Sequence, residues 1–235
     1  MSVIVLLHGA WHGGWAWDRV APQLRAAGHE VYAPTLSGVS DRAHLVNPAM
    51  GLETHLIDVV ELIEKHDLRE VLLVGHSYAG MLVSGVADRI PDRIARRVYL
   101  DAFLGEDGES ATDLQPERIA GHYAESVAEA GFGWLIPPRK LSAMGVEDPA
   151  DLDWLTPRLT PHPYRCFTDR LSLTGAGAEV PGTFIECVGW QRVFRDQAER
   201  ATVRGMRTRE IDTGHEAMVT APDALAELLL AEATD

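Results

Sequence analysis

The sequence predicts an α/β fold: a mostly parallel six-stranded sheet with helices on both faces and an inserted helical cap. Three observations predict it. Short apolar runs bounded by turn residues alternate with helical patterns, which implies parallel strands joined by right-handed crossovers. One run, LLVGHSYAG from Leu72 to Gly80, passes from a strand through a tight turn into a helix. The alternation then breaks between Phe103 and Pro181, an interval too long for a plain crossover and too structured for a linker.

The first strand is VIVLLH (3–8). The MSVIVLLHG run that contains it has no basic n-region or cleavage site and too few apolar residues to span a bilayer, so a cytoplasmic protein is expected. A helix follows in WAWDRVAPQLRAAG, with Gly28 as its stop, and a second strand in EVYAP (30–34). The helical GLETHLIDVVELIEKH leads to the strand EVLLVG (70–75). MLVSGVADRI forms the next helix, ended by Pro91, and RRVYLDA (96–102) the fourth strand. The interval at about 104–181 holds LQPERIAGHYAESVAEAG, the apolar FGWLIPP, the helical ADLDWLTPRL and TPHPYRCF. It reads as a lid inserted within one domain spanning 1–235. TFIECV (183–188), MRTREID (206–212) and a terminal helix in PDALAELLLAEA complete the sheet and its cover.

Composition bounds the partners. A chain of 235 residues, 46% hydrophobic, is long enough for one substantial core. Its net charge of -14 repels phosphate backbones and anionic lipid, so the expected partner is a small molecule, with no nucleic acid and no membrane; a homodimer stays open. Cys166 and Cys187 have neither CxxC spacing nor a His/Cys cluster around them, so no disulfide, metal or cofactor is expected.

The chemistry is carried by three motifs. In LLVGHSYAG a serine on a strained strand-to-helix turn lifts its hydroxyl to the carboxyl end of the sheet, which makes Ser77 the candidate nucleophile. Gly75 and Ala79 meet the need for small residues two before and two after it, alanine standing where glycine is more usual, and Gly80 follows at once. The loop LLHGAWHGGWAW (6–17) after the first strand, with the residue after the nucleophile, supplies two N–H donors for a tetrahedral intermediate, Ala10 and Tyr78. His8 and His12 read as structural hydrogen-bonders. In EIDTGHEAM (210–218), His215 sits in a loop after the last strand, the one histidine of ten placed to come over the carboxyl edge of the sheet as the base. His76 should point away from the site.

With GHSYAG, HGAWHGGWAW and a late histidine in place, the chain resembles the α/β-hydrolase superfamily. Within it, the chain resembles the small branch of plant methyl esterases, hydroxynitrile lyases and bacterial pyrethroid-type carboxylesterases. The resemblance implies an α/β-hydrolase fold, an oxyanion hole in the HGAWHGGWAW loop and a helical cap over an apolar pocket. The lyase members carry threonine and lysine where this chain has Gly9 and Glu216, which favours an esterase. Relatives also place the triad aspartate in the turn where FIECVGWQRVF (184–194) has Trp190.

An imidazole that becomes imidazolium needs an acceptor on its second N–H. Glu186 lies inside a strand, Asp196 on the following helix, and Asp212 too near His215 in sequence. Asp101 ends the strand after the elbow helix and is the expected third member of a relocated triad, Ser77, His215 and Asp101, although a turn role in LDAF is its competing reading. The expected activity is a serine hydrolase that cleaves a small apolar or aromatic carboxylic ester through an acyl-enzyme. The alternative is a lyase, cyclase or isomerase that uses Ser77 and His215 for proton transfer, motivated by the displaced acid. Trp11, Trp15, Phe103, Phe132, Trp134, Leu135 and Met144 are candidate pocket walls.

Overall fold

The computed structural model describes residues 1–234. Six parallel strands form the central sheet: β1 (Val3–Leu7), β2 (Glu30–Tyr32), β3 (Val71–His76), β4 (Ile94–Leu100), β7 (Gly182–Cys187) and β8 (Arg207–Ile211). Their order is β2-β1-β3-β4-β7-β8, with every neighbouring pair parallel. β3 is wholly buried, and its unbroken apolar VLLV run is what a strand covered on both faces requires.

Helices α1 (Ala21–Ala26), α2 (Leu52–Lys65) and α3 (Ala79–Arg89) connect the first four strands. The chain moves one way from β1 to β2 and the other way from β2 to β3. Right-handed crossovers therefore put α1 on one face and α2 and α3 on the opposite face. The packing agrees: α2 lies on α3, and α1 lies on the terminal helix α9 (Pro222–Thr234). α7 (Arg195–Val203) joins β7 to β8, and the short α8 (Ala217–Thr220) precedes α9. This change of direction makes the crevice at the carboxyl ends of β1 and β3 a topological switch point, where open α/β sheets bind ligands.

Between β4 and β7 lie α4 (Glu117–Ala130), α5 (Pro149–Leu155), α6 (Arg165–Thr168) and a two-stranded antiparallel ribbon of β5 (Leu135–Ile136) and β6 (His162–Pro163). Nothing in the sequence announces this ribbon, because two-residue strands carry no periodicity. The first helix is also shorter than expected: GWAW forms a 3-10 turn over Gly14–Trp17, and α1 starts only at Ala21, with Pro22 in its first turn. Gly28 does end it, at φ 92°. Among the described residues, no helix is long and apolar enough to cross a membrane.

The elbow is closely packed. A methyl group on Gly75 would lie 2.5 Å from Val83 Cγ2 and 2.6 Å from the Ala79 carbonyl oxygen, so strand and helix touch through the missing side chain. At Gly80 the contact is with backbone, 2.1 Å from the Phe103 carbonyl oxygen. Gly80→Ala is expected to cost about 1–3 kcal/mol by overpacking. The measurement is the urea midpoint, and an unchanged midpoint would show that α3 can shift off the 102–103 turn.

Candidate active site

Ser77 sits at the junction of β3 and α3 with φ 55°, a left-handed conformation that a residue with a Cβ adopts only when its surroundings impose it. The imposing contacts are visible. Its N–H donates to the Leu100 carbonyl at 3.1 Å, and its carbonyl accepts from Phe103 N–H at 3.1 Å and from Gly80 N–H at 3.1 Å. The turn is thus stitched to the end of β4. Tyr78 follows at the N-terminus of α3, where backbone N–H groups lack intrahelical acceptors and the helix dipole favours negative charge. The Tyr78 ring is fully buried, and its hydroxyl bonds His55 Nδ1 at 3.1 Å.

Asp101 is also left-handed, at φ 43°. Its N–H extends the β4–β7 ladder by donating to the Ile185 carbonyl at 2.8 Å. The carboxylate is almost fully buried: Oδ1 accepts from Cys187 N–H at 3.2 Å, and Oδ2 lies 2.6 Å from His215 Nδ1. The second contact assigns the imidazole tautomer. The proton sits on Nδ1 and is donated to Asp101, which leaves Nε2 as the free base.

His215 is 8% exposed. Phe194 stacks on its ring at 5.2 Å with planes 13° apart, and the His76 ring lies 4.4 Å away. The His215 N–H donates to the Met144 carbonyl at 2.9 Å, so a segment between β4 and β7 also holds the loop. Trp190, where an acid is usual, packs on that segment: a methyl on Gly145 would lie 2.8 Å from Trp190 Cγ and 3.0 Å from Gly214 Cα. Here the tryptophan supports the histidine loop from outside. Glu186 pairs with Arg192 through two contacts of 2.7 Å, and Asp196 stands in the first turn of α7.

Ser77, His215 and Ala10 line one cavity of about 560 Å³, within the range of small-molecule sites. Of the candidate wall residues, Trp11, Phe103 and Met144 line it, while Trp15, Phe132, Trp134 and Leu135 do not. Trp15 turns to Trp154 and donates to Ser40 Oγ at 2.9 Å, and Phe132 is 87% exposed. Further apolar walls include Leu114, Ile119, Tyr123, Phe167 and Phe194, and Arg118, Arg139, Arg192 and Arg195 also line the cavity. Ile119 and Tyr123 share one face of α4 at i, i+4 spacing, a signal the sequence contains. Phe167 carries no such signal. His76 corrects the expectation that it points away: it faces the histidine loop, with Nε2 donating to the His215 carbonyl at 2.9 Å.

Several buried histidines are held neutral. Burial lowers His8 from 6.5 to about 3 and pushes His55, His76 and His162 down as well. His12 is the exception. Burial opposes its charge, but Glu216, with Oε2 3.2 Å from His12 Nε2, outweighs burial and raises it; burial likewise opposes the Glu216 charge, and His12 nevertheless holds that carboxyl below its ordinary range.

The sequence profile of the alpha/beta hydrolase family matches residues 4–228. A carbendazim-hydrolysing esterase from Nocardioides sp. is 38% identical over 244 residues, covering 98% of this chain and 99% of the relative. Salicylic acid-binding protein 2 of Nicotiana tabacum is 28% identical, covering 82% of this chain and 72% of its own. Among solved structures, an extracellular alpha/beta-hydrolase from a Paenibacillus species superposes with a TM-score of 0.90 at 26% identity, covering 100% of both chains.

The neutral histidines fix a pH response. A buried ring that protonates only at about 3, as His8 does, against 6.5 when unfolded, leaves the unfolded chain binding more protons throughout that window. The contribution is complete above the unfolded value and is lost as pH falls, by up to about 1.4 kcal/mol per pH unit for each such ring. His12 runs the other way, its share present below 6.5 and lost as pH rises through its raised folded value. With several rings against one, the thermal midpoint is expected to fall steadily from about pH 7 to 5. Circular dichroism melts check this, and a flat profile would contradict buried neutral rings.

Proposed function

The chain belongs to the alpha/beta hydrolase family, and from that membership we propose that it is a serine esterase acting on a small apolar or aromatic carboxylic ester. The observation that most supports this reading is the 2.6 Å contact between Asp101 and His215, at a cavity shared with Ser77. Ser77 Oγ attacks the acyl carbon while His215 Nε2 takes its proton, and Asp101 balances the imidazolium that results. The Ala10 and Tyr78 N–H groups receive the oxyanion. The imidazolium returns its proton to the departing alcohol, and Nε2 then activates water to release the acid from Ser77.

Residues 104–181 act as the cap, and the aromatic and aliphatic walls of the cavity favour an apolar acyl or alcohol group. The Nocardioides relative makes carbendazim the first substrate to try. The non-hydrolytic alternative was motivated by a missing acid, and the buried Asp101 carboxylate removes that motive. The cytoplasm remains the proposed compartment, on the two free thiols Cys166 and Cys187; the Paenibacillus relative is extracellular, and cell fractionation decides.

Two measurements test the reading. A fluorophosphonate should label Ser77, and p-nitrophenyl acetate should be turned over; the esterase proposal falls if neither occurs in folded protein. Asp101→Asn should lower kcat by about 10⁴ with little change in KM, because the amide stabilises the wrong imidazole tautomer and cannot balance its charge. Full activity in that variant would remove Asp101 from the triad.

A further inference from the structure

The oxyanion loop contains two buried histidines that the proposed mechanism does not use. His8 Nδ1 lies 2.8 Å from the Gly9 carbonyl, and its Nε2 accepts the Leu36 N–H at 3.1 Å. A nitrogen that receives an N–H must keep its lone pair. The single proton of His8 is therefore on Nδ1 and is donated to Gly9. His12 is held differently: Nδ1 lies 2.7 Å from the Ala10 carbonyl and Nε2 lies 3.2 Å from Glu216 Oε2, out of line for a linear hydrogen bond but close for an ion pair. Acceptors face both nitrogens, so both carry protons. His8 and His12, on one short loop, are fixed in opposite protonation states by their partners.

What they hold is the Ala10 amide. In a trans peptide the C=O and N–H point in opposite directions, so pinning the Gly9 carbonyl aims the Ala10 N–H the other way. Pinning the Ala10 carbonyl fixes the next peptide, whose Trp11 N–H approaches His162 Nδ1 at 3.5 Å. Ala10 is thereby clamped on both sides. The loop also lies directly against the nucleophile, since a methyl on Gly9 would sit 3.0 Å from Ser77 Cβ. Glu216, which directly follows His215, couples the histidine loop to this clamp, and its other titratable neighbours are His76, His215 and Cys187.

We propose that His8 and His12 are positioning residues that aim the Ala10 N–H at the oxyanion, with Glu216 acting through His12; this rests on the esterase reading. The lowering of His8 by burial and the raising of His12 by Glu216 accord with the protonation states that the contacts demand.

The first test is spectroscopic. Long-range ¹H–¹⁵N spectra of histidine-labelled protein, assigned with His8→Asn and His12→Asn, should show His8 neutral with its proton on Nδ1 and His12 doubly protonated at about pH 6.5, the midpoint of an ordinary imidazole. Glu216→Gln, which keeps the volume, should turn His12 neutral. The second test is kinetic. His12→Ala should lower kcat about 10- to 100-fold with KM within about twofold, less than the roughly 10²–10³-fold of removing a donor outright. His12→Asn, whose amide nitrogen takes the place of Nδ1, should recover most of that loss. If His12→Ala does not fold, Glu216→Gln carries the kinetic arm, with a smaller fall in kcat at constant KM. A neutral His12 in the parent protein, or wild-type kcat in folded His12→Ala, overturns the proposal while leaving the esterase intact. Absence of any ester turnover in the parent protein overturns the esterase reading and the positioning role together.

Discussion

The buried contact between Asp101 and His215 is the constraint on which the arrangement depends. It joins the end of β4 to the loop after β8 although β7 lies between them in the sheet. Two further bonds make that possible. The Asp101 N–H continues the β4–β7 ladder, and its Oδ1 takes the N–H of Cys187, so the carboxylate is fixed from the strand it crosses. A buried carboxylate with fewer partners would be costly to keep charged. This one has a backbone donor on one oxygen and an imidazole on the other.

Strain at the site is shared between adjacent strand ends. Ser77 and Asp101 both have left-handed backbones, conformations that cost about 1–3 kcal/mol each and persist only where their surroundings over-determine them. The Ser77 turn bonds to Leu100 and Phe103 on either side of Asp101, so the two unusual residues restrain one another through the intervening backbone. Gly75 and Gly80 permit the close contacts that hold the turn in place. Ser77 and Asp101 are consequently parts of one backbone structure, which would let the proposed acid at the end of β4 serve in place of one after β7.

Much of this was legible from residue order. LLVGHSYAG pointed to Ser77 as the proposed nucleophile, HGAWHGGWAW to the proposed oxyanion loop and EIDTGHEAM to the proposed base, because each chemistry needs particular residues at particular strand ends. The parallel sheet with helices on both faces followed from the alternation of elements, whereas its strand order and switch point came only from the pairing of the strands. The pocket walls were less legible. Phe132 and Trp134 are apolar and close to the β5–β6 ribbon, yet neither lines the cavity, since local hydrophobicity does not say which way a short irregular segment turns. The ribbon itself depends on pairing Leu135 with Pro163, a contact across a long loop.

By itself, then, the sequence determined the sheet, the elbow serine, the histidine loop and the short list of acids, because these depend on periodicity and on residue types at element ends. Tertiary structure set Asp101 against His215, and gave Trp190 its place against Gly145 beside the histidine loop. It also decided the charge states of His8 and His12. Those choices rest on distances between residues far apart in the chain, and a protonation state is set by which groups face a ring, something one-dimensional order does not contain.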